Sequence, residues 1–196
     1  MTEAAEQPRI APLPPSDWPT GMRDALAPLR PPNPRHPYPK TEGRPKGLNV
    51  LGTFAHHPEL THAFMTFNGH ILFTSTLAPR DRELIVLRVA ALRNSTYEWE
   101  QHAVIAGDNG IDDNTVARVA AGPDEPGWTP LEHAMLRAVD ELVRDATISG
   151  ATWTVLEEAF DDQQILDLVF TVGAYDVLAM ALNVCGTPLD DDLKRP

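Results

Sequence analysis

From about residue 58 onward, apolar side chains recur three and four positions apart, and period-two alternation bounded by turn pairs is nowhere sustained. That pattern predicts helices and no strands. Pro58 opens a helix running to about residue 75, with Leu60, Phe64, Phe67, Ile71 and Leu72 on one side. Pro79 opens the next, with Asp81 and Glu83 in the first turn, where carboxylates suit the positive end of the helix dipole. Leu84, Leu87 and Ala91 on one side and Ile85, Val89 and Leu92 on the other make this helix apolar nearly all round, hence buried. Asn94-Ser95 breaks it and starts a second helix that ends by Gly107 and Gly110. Further helices are predicted over about 112–121, 130–145 and 151–160. A long final helix, capped by Asp161 or Asp162, runs to about 185. Thr129-Pro130-Leu131-Glu132 is a strong N-terminal signature, with a capping threonine, proline at the first position and glutamate at the third.

The front of the chain lacks this periodicity. Residues 1–16 are polar and proline-rich, which predicts a poorly ordered arm or an extended segment lying on a neighbour. A short helix is expected from Ser16-Asp17-Trp18-Pro19 to Leu29, ended by prolines 31, 32, 34, 37 and 39. The loop over 30–47, basic and proline-rich, is long for a compact domain, which points to a functional role, disorder, or wrapping over a partner or interface. Residues 48–54 fit either a short strand or a helical turn. The division expected is an arm and loop with one short helix over 1–47, then a helical domain over 48–196.

With 196 residues, one domain with a sizeable core is expected. The formal net charge of −12 argues against a nucleic-acid surface, which needs clustered Lys and Arg. Cys185 is the single cysteine, which excludes an intrachain disulfide. No apolar run approaches the eighteen or so residues of a membrane span, and the N-terminus has no apolar signal core. A cytoplasmic protein without a membrane partner is the expectation. His56, His57, His62 and His70 cluster in sequence, but no pair combines ligand spacing with an acidic partner, so surface or pocket-lining roles are expected.

The chemistry concentrates in residues 77–107. Ser95, Glu98 and His102 fall three and four apart, on one stripe of a helix. Ser95 with Glu98 reads as a capping box, and Glu98 with His102 as an i, i+4 pair. Together with Glu83 the pair also has three potential metal ligands, although no motif advertises a complete donor set.

The order Leu-Ala-Pro-Arg-Asp-Arg-Glu-Leu-Ile-Val-Leu-Arg-Val-Ala over 77–90, followed by Tyr97-Glu98-Trp99-Glu100-Gln101-His102, resembles the carboxymuconolactone decarboxylase family. That resemblance implies the all-α, alkylhydroperoxidase-D-like helical bundle, of about seven or eight helices in antiparallel hairpins. In the thiol-bearing branch of the family a glutamate precedes Cys-x-x-Cys-x-x-x-His by twelve residues. Here Glu83 stands twelve before Ser95, Ser95 and Glu98 take the two cysteine positions, and His102 the histidine. Disulfide chemistry needs a thiolate and a resolving thiol, which Ser95 and Glu98 cannot supply. Cys185, near the end of an apolar helix, reads as a buried small hydrophobe.

The branch without cysteines resembles the decarboxylases, which work without metal or organic cofactor. The resemblance implies His102, Glu98 and Glu83 as the catalytic group: His102 delivers a proton, Glu98 sets its tautomer and raises its pKa, and Glu83 orients it or exchanges a proton with substrate. Ser95, Tyr97, Trp99 and Arg88 are the substrate-binding candidates, and Arg80 and Arg82 further candidates to hold a substrate carboxylate. The leading function is a cofactor-free lyase acting on a carboxylated lactone or similar small metabolite. The alternatives are a non-catalytic binding or assembly member of the fold and an alkylhydroperoxidase-type antioxidant protein. The resemblance also implies a homo-oligomer, trimer or hexamer.

Overall fold

The computed structural model describes residues 7–38 and 40–193. Within them the chain forms nine α-helices and no strand: α1 Met22–Ala25, α2 Leu48–Phe54, α3 Pro58–Phe73, α4 Pro79–Leu92, α5 Thr96–Asp108, α6 Asp113–Ala121, α7 Pro130–Asp145, α8 Gly150–Ala159 and α9 Asp162–Cys185. The architecture is all-α, with more helices than the seven or eight expected. The predicted helix over 16–29 is broken into α1 flanked by 3-10 turns at Pro15–Asp17 and Ala27–Leu29, because Pro19 and Pro28 cannot donate into a continuous ladder. The ambiguous segment at 48–54 is helical.

Helix α4 is the axis of the fold. Every residue from Arg82 to Ala90 is buried, and α5, α6, α7 and α9 all pack against it. Its prediction as apolar all round follows from this placement: a helix surrounded by others has no solvent face to mark with polar residues. The link from α4 to α5 is a tight hairpin. Asn94 adopts the left-handed region (φ 49°), and the Ser95 amide closes on the Ala90 carbonyl at 3.0 Å. Helix starts elsewhere are fixed by side chains. Thr129 with Glu132 and Asp161 with Gln164 each form a reciprocal capping box, so Asp161 is the α9 cap.

The N-terminal arm is seated on its own chain. The amides of Arg9 and Ile10 donate to the Cys185 carbonyl (2.8 and 3.2 Å), and the Leu13 amide to Gly52 O (3.1 Å). A Cβ at Gly52 would stand 2.4 Å from the Leu13 oxygen, so only glycine permits this approach. The sequence expectation of an arm lying on a neighbour is thus corrected for residues 9–13, and residues 1–6 fall outside the described part. Helix α9 also revises a sequence reading. It is long and apolar enough to cross a membrane by length and composition, with mean hydropathy 1.8, and half of the relevant window is buried in the protein.

Candidate active site

The α4–α5 hairpin sets Glu83 beside His102. His102 Nδ1 lies 2.6 Å from Glu83 Oε1, and both side chains are buried, 9% and 1% exposed. A carboxylate this deep is costly unless paired, and the charge-assisted bond to the imidazole supplies the partner. With Nδ1–H donated to Glu83, Nε2 is the nitrogen left to accept or deliver a proton. The Tyr175 ring of α9 packs edge-on to the imidazole, centroids 5.1 Å apart, and fixes its tilt.

Glu83 and His102 lie on the wall of a cavity of about 300 Å³. Pro79, Arg82 and the end of α3 at Leu72 and Phe73 form one side, and Ile105, Asp108 and Asn109 of α5 another. The remaining side comes from the proline-rich loop, through His36, Pro37, Tyr38 and Lys40. This strap is tied down at both ends. The Arg35 and His36 amides donate to Phe73 O (2.7 and 3.2 Å), and His36 Nε2 donates to Ser75 O (2.8 Å). Tyr38 packs on Phe73 with ring centroids 5.3 Å apart. Further on, Arg44 Nε reaches Asp108 Oδ2 at 2.6 Å and Lys40 Nζ reaches Oδ1 at 3.2 Å. The Arg44 hydrogen bonds, with Lys40 behind them, hold the Asp108 carboxyl at about 2, well below the usual range. Of the roles expected for this loop, the structure shows it covering the chain's own cavity.

Glu98 departs from its expected role. Its carboxyl is 2% exposed, and neither oxygen has a hydrogen-bond partner in the described structure, so it does not set the His102 tautomer; Glu83 does. Burial, then the negative charges of Asp176 and Glu83, push its pKa up to about 9, so it is a neutral acid at pH 7. The capping box with Ser95 is likewise absent: Ser95 stands at the N-cap of α5, but its buried hydroxyl makes no bond.

The other sequence candidates are scattered. Tyr97 donates to Asp190 Oδ2 (2.7 Å) and accepts from the Val50 amide, tying α5 to α2 and the C-terminal segment. Ser95 and Trp99 line a separate shallow recess at the start of α5, and Trp99 also packs on the core. Arg88 grips Asp140 through Nε and Nη2 (2.6 and 2.9 Å) and donates to the Val119 and Ala120 carbonyls, joining α4, α6 and α7. A guanidinium committed in this way is not available to substrate, and Arg88, Tyr97, Trp99 and Ser95 do not line the His102 cavity. Arg80 pairs with Glu132 at 2.6 Å. Of the arginines considered, Arg82 reaches the cavity, anchored by Nη1 to the Ile71 and Leu72 carbonyls.

Among the described residues, no group of three or more His, Cys, Asp or Glu is placed to hold a metal ion. His70 binds Asp167 Oδ1 at 2.9 Å, the acidic partner that sequence spacing did not reveal because it comes from α9. Cys185 is half-buried in an apolar groove between α2–α3 and α9, not fully buried as expected, and lies outside the His102 cavity. His36, Tyr38, Lys40 and Asp108 were missed by sequence reasoning. The loop's length, beyond what a simple connection needs, was the available signal.

An all-helical hairpin fold with a carboxylate–imidazole pair in a strapped cavity defines the class. Residues 58–141 match the model of the carboxymuconolactone decarboxylase family, and this segment contains both Glu83 and His102. The structure is similar to a peroxidase-related protein from Silicibacter sp. TM1040 (TM-score 0.75, 18% identity, 98% of this chain and 97% of that one). It is also similar to an alkylhydroperoxidase AhpD core protein from Ralstonia eutropha JMP134 (TM-score 0.67, 22% identity, covering 83% and 95%). A third similar structure is a cysteine-to-alanine variant of the debrominase Bmp8 in complex with 2,3,4-tribromopyrrole (TM-score 0.70, 14% identity, covering 97% and 96%). At these identities the likeness establishes the AhpD-like fold. No curated protein matches the chain.

Proposed function

We propose that the protein is a small-molecule enzyme that moves protons through His102 and Glu83, with decarboxylation of a carboxylated lactone or similar metabolite as its reaction. The observation that carries this reading is the 2.6 Å Glu83–His102 bond on the wall of a strapped cavity of about 300 Å³. Loss of CO₂ from a substrate carboxylate leaves its electron pair on carbon, delocalised as a dienolate into the neighbouring carbonyl. Positive charge held close lowers the cost of that anion, and Arg82 and Lys40 both line the cavity. The Arg82 anchor to two carbonyls uses Nη1, leaving its other donors for the dienolate oxygen. His102, protonated and held by Glu83, gives the Nε2 proton to the carbanion carbon, then regains one from solvent.

A cavity this size, walled by Tyr38, Phe73, Leu72 and Ile105, suits one flat ring better than an extended chain. Binding of a small heteroaromatic by the debrominase supports that size class. A thiol peroxidase cycle is disfavoured, because one cysteine outside this cavity cannot provide an attacking and a resolving thiol. The test is CO₂ release, with deuterium uptake at the product carbon in D₂O, over a panel of carboxylated lactones. Wild-type turnover abolished by His102→Gln is the expected result. A wild type inactive on the entire panel, yet binding members of it tightly, would turn the reading to a non-catalytic binding protein.

A further inference from the structure

Helix α9 has two apolar faces. Ile165, Leu168, Val172, Tyr175, Ala179 and Leu182 are buried in the core. On the outer side, Leu166, Phe170, Val177, Met180 and Val184 are 57, 54, 57, 47 and 61% exposed, and Gly173 is exposed among them. Their spacing is four, three, four, three, four, which is the seam of a helix-pairing heptad with Gly173 at its centre. Independently of the catalytic reading, we propose that a second copy of this chain covers this seam, α9 against α9 in antiparallel two-fold contact.

Three observations select that occupant. The first is charge: from 163 to 185 no exposed residue of α9 is charged, on a chain of net charge −12. Asp167 and Asp176, the acids of this stretch, are directed to His70 and Arg93 of the same chain. Two acidic molecules therefore meet here without opposing charges. The second is area. A 24-residue α9 and a 16-residue α3, whose Leu60, Phe64 and Phe67 flank the seam, are about 36 and 24 Å long. At about 10 Å per helix width they offer roughly 600 Å² of flat footprint, near the ~800 Å² of accessible surface per partner that a stable interface buries once side-chain relief is counted.

The third is self-complementarity. A two-fold axis through the middle of the seam, level with position 175 along the helix, sets Leu166 against the partner's Val184, Phe170 against the partner's Met180, and Gly173 against the partner's Val177. Phe170 meets a flexible methionine, and the glycine lets the backbones approach near the centre. The apolar groove of about 270 Å³ beside Val177, Ala181, Leu60 and Phe64 then receives the partner's Phe170. An isologous contact of this kind builds a dimer, or a hexamer of three dimers, and does not build an isolated trimer.

Sedimentation of the purified full-length chain at micromolar concentration is the test, with twice or six times the 21.6 kDa chain mass expected. Val177→Glu is expected to halve the assembly or reduce it to monomers while helical circular dichroism is unchanged; Met180→Lys serves as a second variant should the first lose helicity. In a Cys185→Ser background, Phe170→Cys with Met180→Cys is expected to crosslink between chains, whereas Leu166→Cys alone is not, its two copies being about 27 Å apart. A wild type that is monomeric or solely trimeric, a seam variant that keeps its assembly, a Leu166→Cys crosslink, or a monomer that instead cosediments with lipid vesicles would each overturn the proposal.

Discussion

His102 finds its carboxylate partner in Glu83, across the α4–α5 hairpin at 2.6 Å, and not in Glu98 one turn away on its own helix. The two carboxyl groups thereby sit in different surroundings, one hydrogen-bonded and one without a partner. Glu83 is the hydrogen-bonded partner of an imidazole, and Glu98 a neutral acid behind it.

The Glu83–His102 pair implies one catalytic outcome. Glu83→Gln keeps the shape but replaces the acceptor charge that stabilises imidazolium. It is expected to lower kcat by about 10²–10⁴-fold with little change in KM. Histidine ¹⁵N chemical shifts report the same event without substrate: His102 is expected to hold its proton on Nδ1 in the wild type and to lose that preference in the variant. Unchanged shifts and unchanged kcat together would remove Glu83 from the site.

Glu98 makes stability depend on pH in a defined direction. Its folded pKa is about 9, against 4.5 for the ordinary carboxyl, so its contribution is fully present below about 4.5 and is lost as pH rises through 9. At pH 7 the native state holds a proton that the unfolded chain has released, which costs about 3 kcal/mol. Glu98→Gln is expected to recover up to about 3 kcal/mol in urea unfolding at pH 7 and nothing at pH 4. An equal effect at both pH values would contradict this reading.

Arg88 is a fastener. Removing it strands Asp140 and two carbonyls, and Arg88→Ala is expected to cost about 3–5 kcal/mol by chemical denaturation. Where folded protein survives, ligand affinity at the His102 cavity is expected to stay within about twofold, as fits a side chain outside that cavity. A large affinity loss with stability intact would restore Arg88 as a substrate contact.

The strap over the cavity is tied by charge that does not titrate near neutrality. Because the Arg44 bonds hold Asp108 at about 2, amide exchange across residues 35–46, corrected for intrinsic rates, is expected to be alike at pH 5 and pH 8. Asp108→Asn is expected to speed that exchange at both pH values and to raise KM more than it changes kcat. Protection that changes strongly between the two pH values in the wild type would assign the tie to another group.

Much of the fold was legible locally. Pro58, Pro79 and Pro130 each open the helix they predicted, and Thr129 and Asp161 each cap one, because proline geometry and capping are properties of four or five adjacent residues. The Glu83–His102 pair was half legible. The twelve-residue interval from Glu83 to Ser95 placed the right residues in one region, but which carboxylate meets His102 depends on the angle of a hairpin, which spacing does not encode. Arg88 reads as a ligand for a carboxylate because its carboxylate, Asp140, lies fifty-two positions away. The strap was illegible for a related reason. Its contacts run to Phe73, Ser75 and Asp108, so a proline-rich stretch without periodicity carries no local sign of what it covers.

The family-matching segment, 58–141, holds Glu83 and His102 but none of the strap. The buried carboxylate–imidazole pair and the cover over its cavity therefore come from separate stretches of the chain. Exchanging the 30–47 loop would change the wall a ligand meets while leaving the Glu83–His102 bond behind it in place.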